Sequence, residues 1–229
     1  MKLLALDTSS PACSVALAVG DSCIERHEEQ PREHTRILMR MIRAVLAEAG
    51  LSPGDLDAIV LGNGPGSFIG MRIATSVAQG LAFGAGLGIV PVSSMAAVAQ
   101  EVLRESESAS VVVAQDARMQ QVYLGEYVRD GNGHAALVGA ERIVDVAPIA
   151  GLDSNPPGPR TAAGEGWQRY PALLECNRET IDQCAAVLHP HARHLLELGR
   201  VQLMASGTVE PRAIEPAYLR QKVAEKPAS

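Results

Sequence analysis

An α/β protein of two similarly built lobes is what this sequence predicts, and three observations carry that expectation. Apolar, β-favouring runs alternate with helix-length patterns, as where Ala58–Leu61 runs into a glycine turn and then into Phe68–Phe83. The order strand, Asp-containing turn, strand, turn, strand begins near residue 3 and again near residue 111. The chain has 229 residues, room for two lobes of roughly 110 each. Alternating elements build layered α/β architecture, and self-similarity within one chain points to duplication.

The elements follow in order. Leu3–Leu6 is a short strand, and Asp7-Thr8-Ser9-Ser10-Pro11 turns the chain into a second at Cys13–Val19. Gly20-Asp21 is a turn signal before a third strand at Ser22–Glu28, which makes a meander. From His34 to Ala49 the apolar residues Ile37, Leu38, Met41, Ile42, Val45 and Leu46 fall on one helix face, with Gly50 as the stop. Arg36, Arg40 and Arg43 form a second stripe, a solvated face or a contact for an acidic partner.

The stretch Gly62-Asn63-Gly64-Pro65-Gly66-Ser67 ends one strand and starts a helix that Ser67 can cap. That helix is apolar almost all round, and Gly70, Ala74 and Ala78 make a smooth ridge that another helix could approach. Gly88–Val92 reads as a strand, Met95–Arg104 as a helix, and Glu105–Ser110 as the break between lobes. In the second half, strands are expected at Val111–Ala114, Gln121–Val128 and Ala135–Val138, and a helix at Pro190–Met204. Thr161-Ala162-Ala163-Gly164-Glu165-Gly166 echoes the first glycine turn, and Asp153–Arg160 reads as a loop.

Aromatic residues are only 3%, so the core is built from Ala, Val, Leu and Ile. A formal net charge of −6 argues against a strong nucleic-acid binder acting alone, while leaving room for a supporting role beside a basic partner. Cys13, Cys23, Cys176 and Cys184 form no CxxC pair and read as reduced thiols of a cytoplasmic protein. The first apolar run is too short for a signal peptide. The uncharged stretch Ile73–Gln100 is broken by Gly80, Gly84, Gly86, Gly88 and Pro91, which speaks against a membrane span.

The glycine turn is no P-loop, since no Lys-Ser or Lys-Thr follows, and its spacing misses the dinucleotide fingerprint. Asp7 and Asp116 each sit at the bend of an initial hairpin, where two lobes can hold phosphates and Mg²⁺ across a cleft. The residues after them lack glycine, so Asp7, Thr8, Ser9 and Asp116 read as a vestigial nucleotide site. His189, His191 and His194 suggest a metal cluster but lack a full ligand set, and read as surface histidines. No HExxH and no Gly-x-Ser-x-Gly is present.

Four segments together resemble the bacterial tRNA threonylcarbamoyladenosine biosynthesis family TsaB, also called YeaZ. They are Leu4-Ala5-Leu6-Asp7-Thr8-Ser9, Gly64-Pro65-Gly66-Ser67-Phe68-Ile69-Gly70-Met71-Arg72-Ile73, Asp116-Ala117-Arg118 with Val122-Tyr123, and Pro216-Ala217-Tyr218-Leu219-Arg220. Ile69 and Met71 stand where Thr and Leu are more usual. The resemblance implies an actin-like, duplicated two-lobe fold (the ASKHA type), with lobes at residues 1–105 and 106–229 and residues 223–229 disordered.

It further implies a non-catalytic paralogue of TsaD, the subunit that transfers threonylcarbamoyl from threonylcarbamoyl-AMP to N6 of the adenosine 3′ to the tRNA anticodon. Implied partners are TsaD, TsaE in a ternary complex, tRNA indirectly, and a second copy when TsaD is absent. ATP, ADP and a metal would belong to the partner subunits. TsaD carries a histidine pair on the first helix; here His34 has Leu38 one turn on. The expected partner surface comprises His34, Ile37, Leu38, Met41, Val45, Ile69, Ile73 and Val77, tuned by Arg36, Arg40 and Arg72. Competing classes are an active ATPase or small-molecule kinase of the same fold, and a peptidase.

Overall fold

The computed structural model describes residues 1–30, 32–149 and 158–220. The expected loop at 153–160 lies mostly outside these residues, and the expected tail at 223–229 wholly so.

Strands β1 (Lys2–Asp7), β2 (Cys13–Val19) and β3 (Ser22–Glu28) form the antiparallel meander. Strands β4 (Ala58–Gly62) and β5 (Ile89–Val92) add in parallel beside β1, giving the order β3-β2-β1-β4-β5. The second sheet contains β6 (Ser110–Asp116), β7 (Gln121–Arg129), β8 (Ala135–Asp145), β9 (Arg160–Ala163) and β10 (Gln183–Cys184). Its order is β10-β9-β6-β7-β8, again three antiparallel strands with two parallel ones beside the first. Strand for strand the second sheet repeats the first, so the fold is the duplicated α/β architecture expected. Strand β8 runs seven residues past the expected Val138, with a register shift between Leu124 and Glu126 of β7.

Strand β1 is apolar on both faces because both are covered. Leu4 and Leu6 point into a core with helix α1 (His34–Glu48) and helix α2 (Phe68–Ala85), whereas Leu3 and Ala5 meet helix α6 (Ala192–Ser206). Helix α3 (Ser94–Glu105) follows β5 in the chain but sets Met95, Val98 and Val102 against Val111, Val113 and Tyr127 of the second sheet. The covering helices are thus exchanged: α3 leaves the first half for the second sheet, and α6 returns from the second half to the first. Gly199 lets α6 come in close, since a Cβ there would lie 2.6 Å from Val60 Cγ1. Short helices α4 (Glu165–Arg169) and α5 (Pro171–Cys176) cover the other face of the second sheet, where Trp167 Nε1 donates to the Val112 carbonyl at 3.1 Å.

The packing of α1 corrects one expectation. Ile37, Leu38, Met41 and Val45 are at most 2% exposed, because the apolar stripe of α1 faces the chain's own first sheet. They are core residues and form no outer surface. The Gly70, Ala74, Ala78 ridge of α2 is likewise turned inward and buried. Met41→Glu buries an unpaired carboxylate, so it is expected to cost about 4 kcal/mol or more. Arg43→Glu, on the exposed face, should change stability by less than about 0.5 kcal/mol. Urea unfolding of both variants measures the contrast, and equal midpoints would contradict the inward assignment.

Candidate functional site

The glycine turn presses α2 onto the β1–β2 turn. A Cβ on Gly70 would lie 1.8 Å from the Thr8 carbonyl oxygen, and one on Gly66 would lie 2.2 Å from that of Ser9. Thr8 Oγ1 donates to the Gly70 carbonyl at 2.6 Å, and the Ser67 amide donates to Ser9 O at 2.6 Å. Ser67 itself caps α2 through Gly70 N. Asp7 is buried under the turn, where its carboxylate accepts from Ser9 N (2.7 Å), Ser9 Oγ (2.8 Å) and Ser94 Oγ (2.5 Å). Burial pushes the Asp7 carboxyl above its ordinary range, against the lowering effect of the bonds from Ser94 and Ser9. A Cβ on Gly62 would also collide with this carboxylate, at 2.0 Å. Two amides of this turn, Ser9 and Ala12, are bonded within it, while Ser9, Ser10 and Pro11 border an open cleft.

The second hairpin turn borders a cleft of about 710 Å³, whose far wall is the start of α2. Asp116, buried beside it, binds two guanidinium groups, Arg118 Nη1 and Arg169 Nε, both at 3.0 Å. It also accepts from Tyr170 Oη at 2.7 Å and Arg118 N at 2.8 Å. Arg118, Met119 and Gln120 all have positive φ (62°, 54° and 58°), a costly conformation for residues with side chains. Glu165 lines the same cleft, and burial, reinforced by Asp116, raises its carboxyl. Ser9 on one side and Asp116 on the other therefore border a common cleft, whereas Asp7 and Thr8 are sealed beneath the β1–β2 turn and do not reach it. Each carboxylate is already satisfied by protein donors. Among the described residues no group of three or more His, Cys, Asp or Glu is arranged to hold a metal ion.

From the edge of the cleft, which Ile69 and Ile73 also line, α2 turns an apolar stripe to solvent. Ile69 is 70% exposed and Phe83 is 84% exposed, with the half-buried Ile73 and Val77 between them. Ile69, Ile73 and Val77 border a groove of about 380 Å³ that α1 closes with Thr35, Leu38 and Met39. His34 lines the groove too, although its Nε2 lies 3.0 Å from Ser10 O and 3.2 Å from Ala12 O. Arg36 and Arg40 are exposed on α1, paired with Glu33 (2.5 Å) and Glu28 (3.0 Å). Of the expected surface residues, Ile69, Ile73, Val77, Arg36, Arg40 and Arg72 are accessible, and Phe83 joins them unforeseen.

Known proteins resemble this chain over nearly its whole length. A protein from Haemophilus influenzae named tRNA threonylcarbamoyladenosine biosynthesis protein TsaB is 36% identical over 99% of this chain and 96% of its own. Its Escherichia coli namesake is 38% identical over 99% and 97%. The chain belongs to the TsaB family. A solved structure named YeaZ from Pseudomonas aeruginosa superposes with a TM-score of 0.85 at 37% identity, covering 95% of this chain and 99% of that one. The family model described as TsaD: tRNA N6-adenosine threonylcarbamoyltransferase matches residues 27–228.

The TsaB-type motifs, far apart in sequence, meet in space. Arg72 lies 3.7 Å above the Phe68 ring and donates from Nε to Tyr218 Oη at 2.8 Å. The Ala217 amide donates to Asn63 O at 3.1 Å, and Arg220 donates to Ala117 O (3.0 Å) and Gln121 Oε1 (2.6 Å). Residues 216–220 are therefore a strap running from the glycine turn of the first lobe to the β6–β7 turn of the second.

The histidines are a second correction, for they are not surface residues. His189 and His194 are 8% and 4% exposed, and His191 stacks on His27 of β3 with centroids 3.9 Å apart. Glu25, also on β3, lies 3.5 Å from His191 and binds Arg193 at 2.6 Å. Burial pushes Glu25 up, but the bonds from His191 and Arg193 outweigh it and bring the carboxyl to about 2. His191 is raised by its hydrogen bond to Glu25, whereas burial and His191 beside it hold His27 below its ordinary value. Burial lowers His189 as well. His27 lies more than 160 residues away in sequence, so spacing alone gave no sign of the pairing.

The pH dependence follows from these directions. A histidine lowered in the folded chain binds its proton more readily when unfolded, so His27 and His189 cost stability as pH falls below about 6.5. The contribution of His191 is complete below that pH and fades as pH rises through its raised value. Between about pH 6.5 and 5 these two histidines pull the urea midpoint down, so the midpoint of His27→Gln should fall less, or rise more, than that of the parent. Parallel slopes for the two proteins would refute this account.

Proposed function

We propose that this chain is a non-catalytic scaffold subunit in the formation of threonylcarbamoyladenosine on tRNA, presenting α2 to a TsaD-type transferase. One observation carries the reading: an exposed apolar stripe of Ile69, Ile73, Val77 and Phe83 beside a groove, on a helix whose other faces are buried in its own lobe. The names of the relatives supply the pathway, and the β1–β2 turn, whose Ser9 and Ala12 amides are already bonded within it, supports the absence of nucleotide chemistry in this subunit. In this reading ATP, ADP and the metal are handled by TsaD- and TsaE-type partners in the cytoplasm. A second copy takes the same face when the transferase is absent.

The accessible residues define the test. Ile69→Glu with Phe83→Glu places two charges on the stripe while leaving the core untouched, so the chain should stay folded and lose co-elution with the TsaD-type subunit. A loss of at least about tenfold in affinity is expected, as for a central interface anchor. Unchanged affinity would sink the docking face. Calorimetric titration of the chain alone with MgATP should give no binding heat, and saturable hydrolysis would favour an active ATPase instead.

A further inference from the structure

The cleft between the two hairpin turns is positive on a chain that is negative as a whole. Four arginines line it, Arg32, Arg118, Arg169 and Arg220, against two carboxylates, Asp116 and Glu165, while the formal net charge of the chain is −6. One carboxylate is shared, for Asp116 lies 3.0 Å from both Arg118 and Arg169. Glu165 is the weaker anion, because burial and Asp116 both raise its carboxyl. Arg220 is held by neutral acceptors, donating to Ala117 O at 3.0 Å, Gln121 Oε1 at 2.6 Å and Met119 Sδ at 3.5 Å. Such acceptors orient a guanidinium without cancelling its charge.

The walls are also apolar. Ile69 and Ile73 of α2 border both this cleft and the docking groove, and Met119, 64% exposed, stands across from them on the β6–β7 turn. Met119 sits in the run of three positive φ angles, so a costly backbone holds an exposed Met and an exposed Arg at the cleft mouth. Strain of this kind concentrates at sites that clamp a ligand. The three rings of the lining are engaged: Phe68 has Arg72 over its face, Tyr123 is buried, and buried His34 meets the Ser10 and Ala12 carbonyls. That leaves little ring face on which a base could stack. An inorganic anion would meet the arginines and leave Ile69, Ile73 and Met119 uncovered. A peptide segment with carboxylates and an apolar side chain suits both kinds of wall. Since Ile69 and Ile73 belong to the docking stripe too, a partner seated on α2 reaches the cleft without a break.

We propose that the cleft takes an acidic segment of the partner that docks on α2, with Arg118, Arg169 and Arg220 meeting its carboxylates and Met119 and Ile69 holding its apolar side chain. The proposal rests on the scaffold reading above and adds the second lobe to that interface.

Calorimetric titration of the full chain with a TsaD-type subunit, at about 50 mM and about 300 mM salt, tests it. At low salt the Arg118→Ala, Met119→Glu double variant should bind about tenfold more weakly, and its affinity should depend less steeply on salt than the parent's. Poly-L-glutamate should weaken the parent's binding more than the variant's. Both side chains are exposed, so the urea midpoint of the variant should stay close to the parent's. Met119→Glu alone, which keeps the Arg118–Asp116 pair, should shift affinity and salt dependence in the same directions. Unchanged affinity in both variants, with binding lost in Ile69→Glu, Phe83→Glu, would overturn the cleft contact and leave the scaffold reading standing. No binding by the parent would remove both. Saturable binding of inorganic phosphate to the chain alone, lost in the double variant, would give the cleft to a small anion and overturn the proposal.

Discussion

Helix α2 can lie against the β1–β2 turn only because residues 66 and 70 carry no side chain. Much of the molecule depends on that approach. It seals Asp7 beneath the turn and sets the α2 wall of the cleft. With its inner face spent on this contact and on the first core, α2 has one face left, and that face carries Ile69 and Phe83. A loop that resembles a phosphate cradle in composition therefore serves to position a helix. Glycine-rich turns have two uses, ligand approach and backbone approach, and here Gly66 and Gly70 serve the second.

The two lobes are tied at three levels. The exchange of α3 and α6 makes each sheet's core depend on a helix from the other half of the chain. The strap at residues 216–220 links the glycine turn to the strained turn at Arg118–Gln120. Between these, the stacked His27 and His191 join β3 to the start of α6. None of these ties is large by itself. Because they act at different places, they link the two halves of the chain together.

Local features were legible in the sequence because local chemistry decides them. Strands Cys13–Val19 and Ser22–Glu28 have the bounds that alternation and the Gly20-Asp21 turn predicted, and Ser67 caps α2 as its position suggested. The duplication was visible because both meanders repeat the same turn pattern. What covers an apolar face was not legible. Periodicity puts Ile37, Met41 and Val45 on one stripe, but the same stripe would serve a partner or the chain's own sheet, and only the register of β1 and β4 beneath it decides. The ring of apolar residues on α2 hid Phe83 for a related reason: with no polar face, nothing marks which side stays wet. The histidine cluster depends on a contact between β3 and α6, which no spacing rule reaches.

The helix exchange also bears on how the chain is made. The face of the first sheet formed by Leu3, Ala5 and Val60 waits for α6, whose first residue lies 100 positions after the end of β5 (192 − 92 = 100). At ribosomal rates that interval is roughly 5–20 s, during which an apolar sheet face stands open on the nascent chain. The first half is thus complete in sequence long before it can be complete in structure. That interval ties the burial of this sheet face to α6, translated about 100 residues after β5.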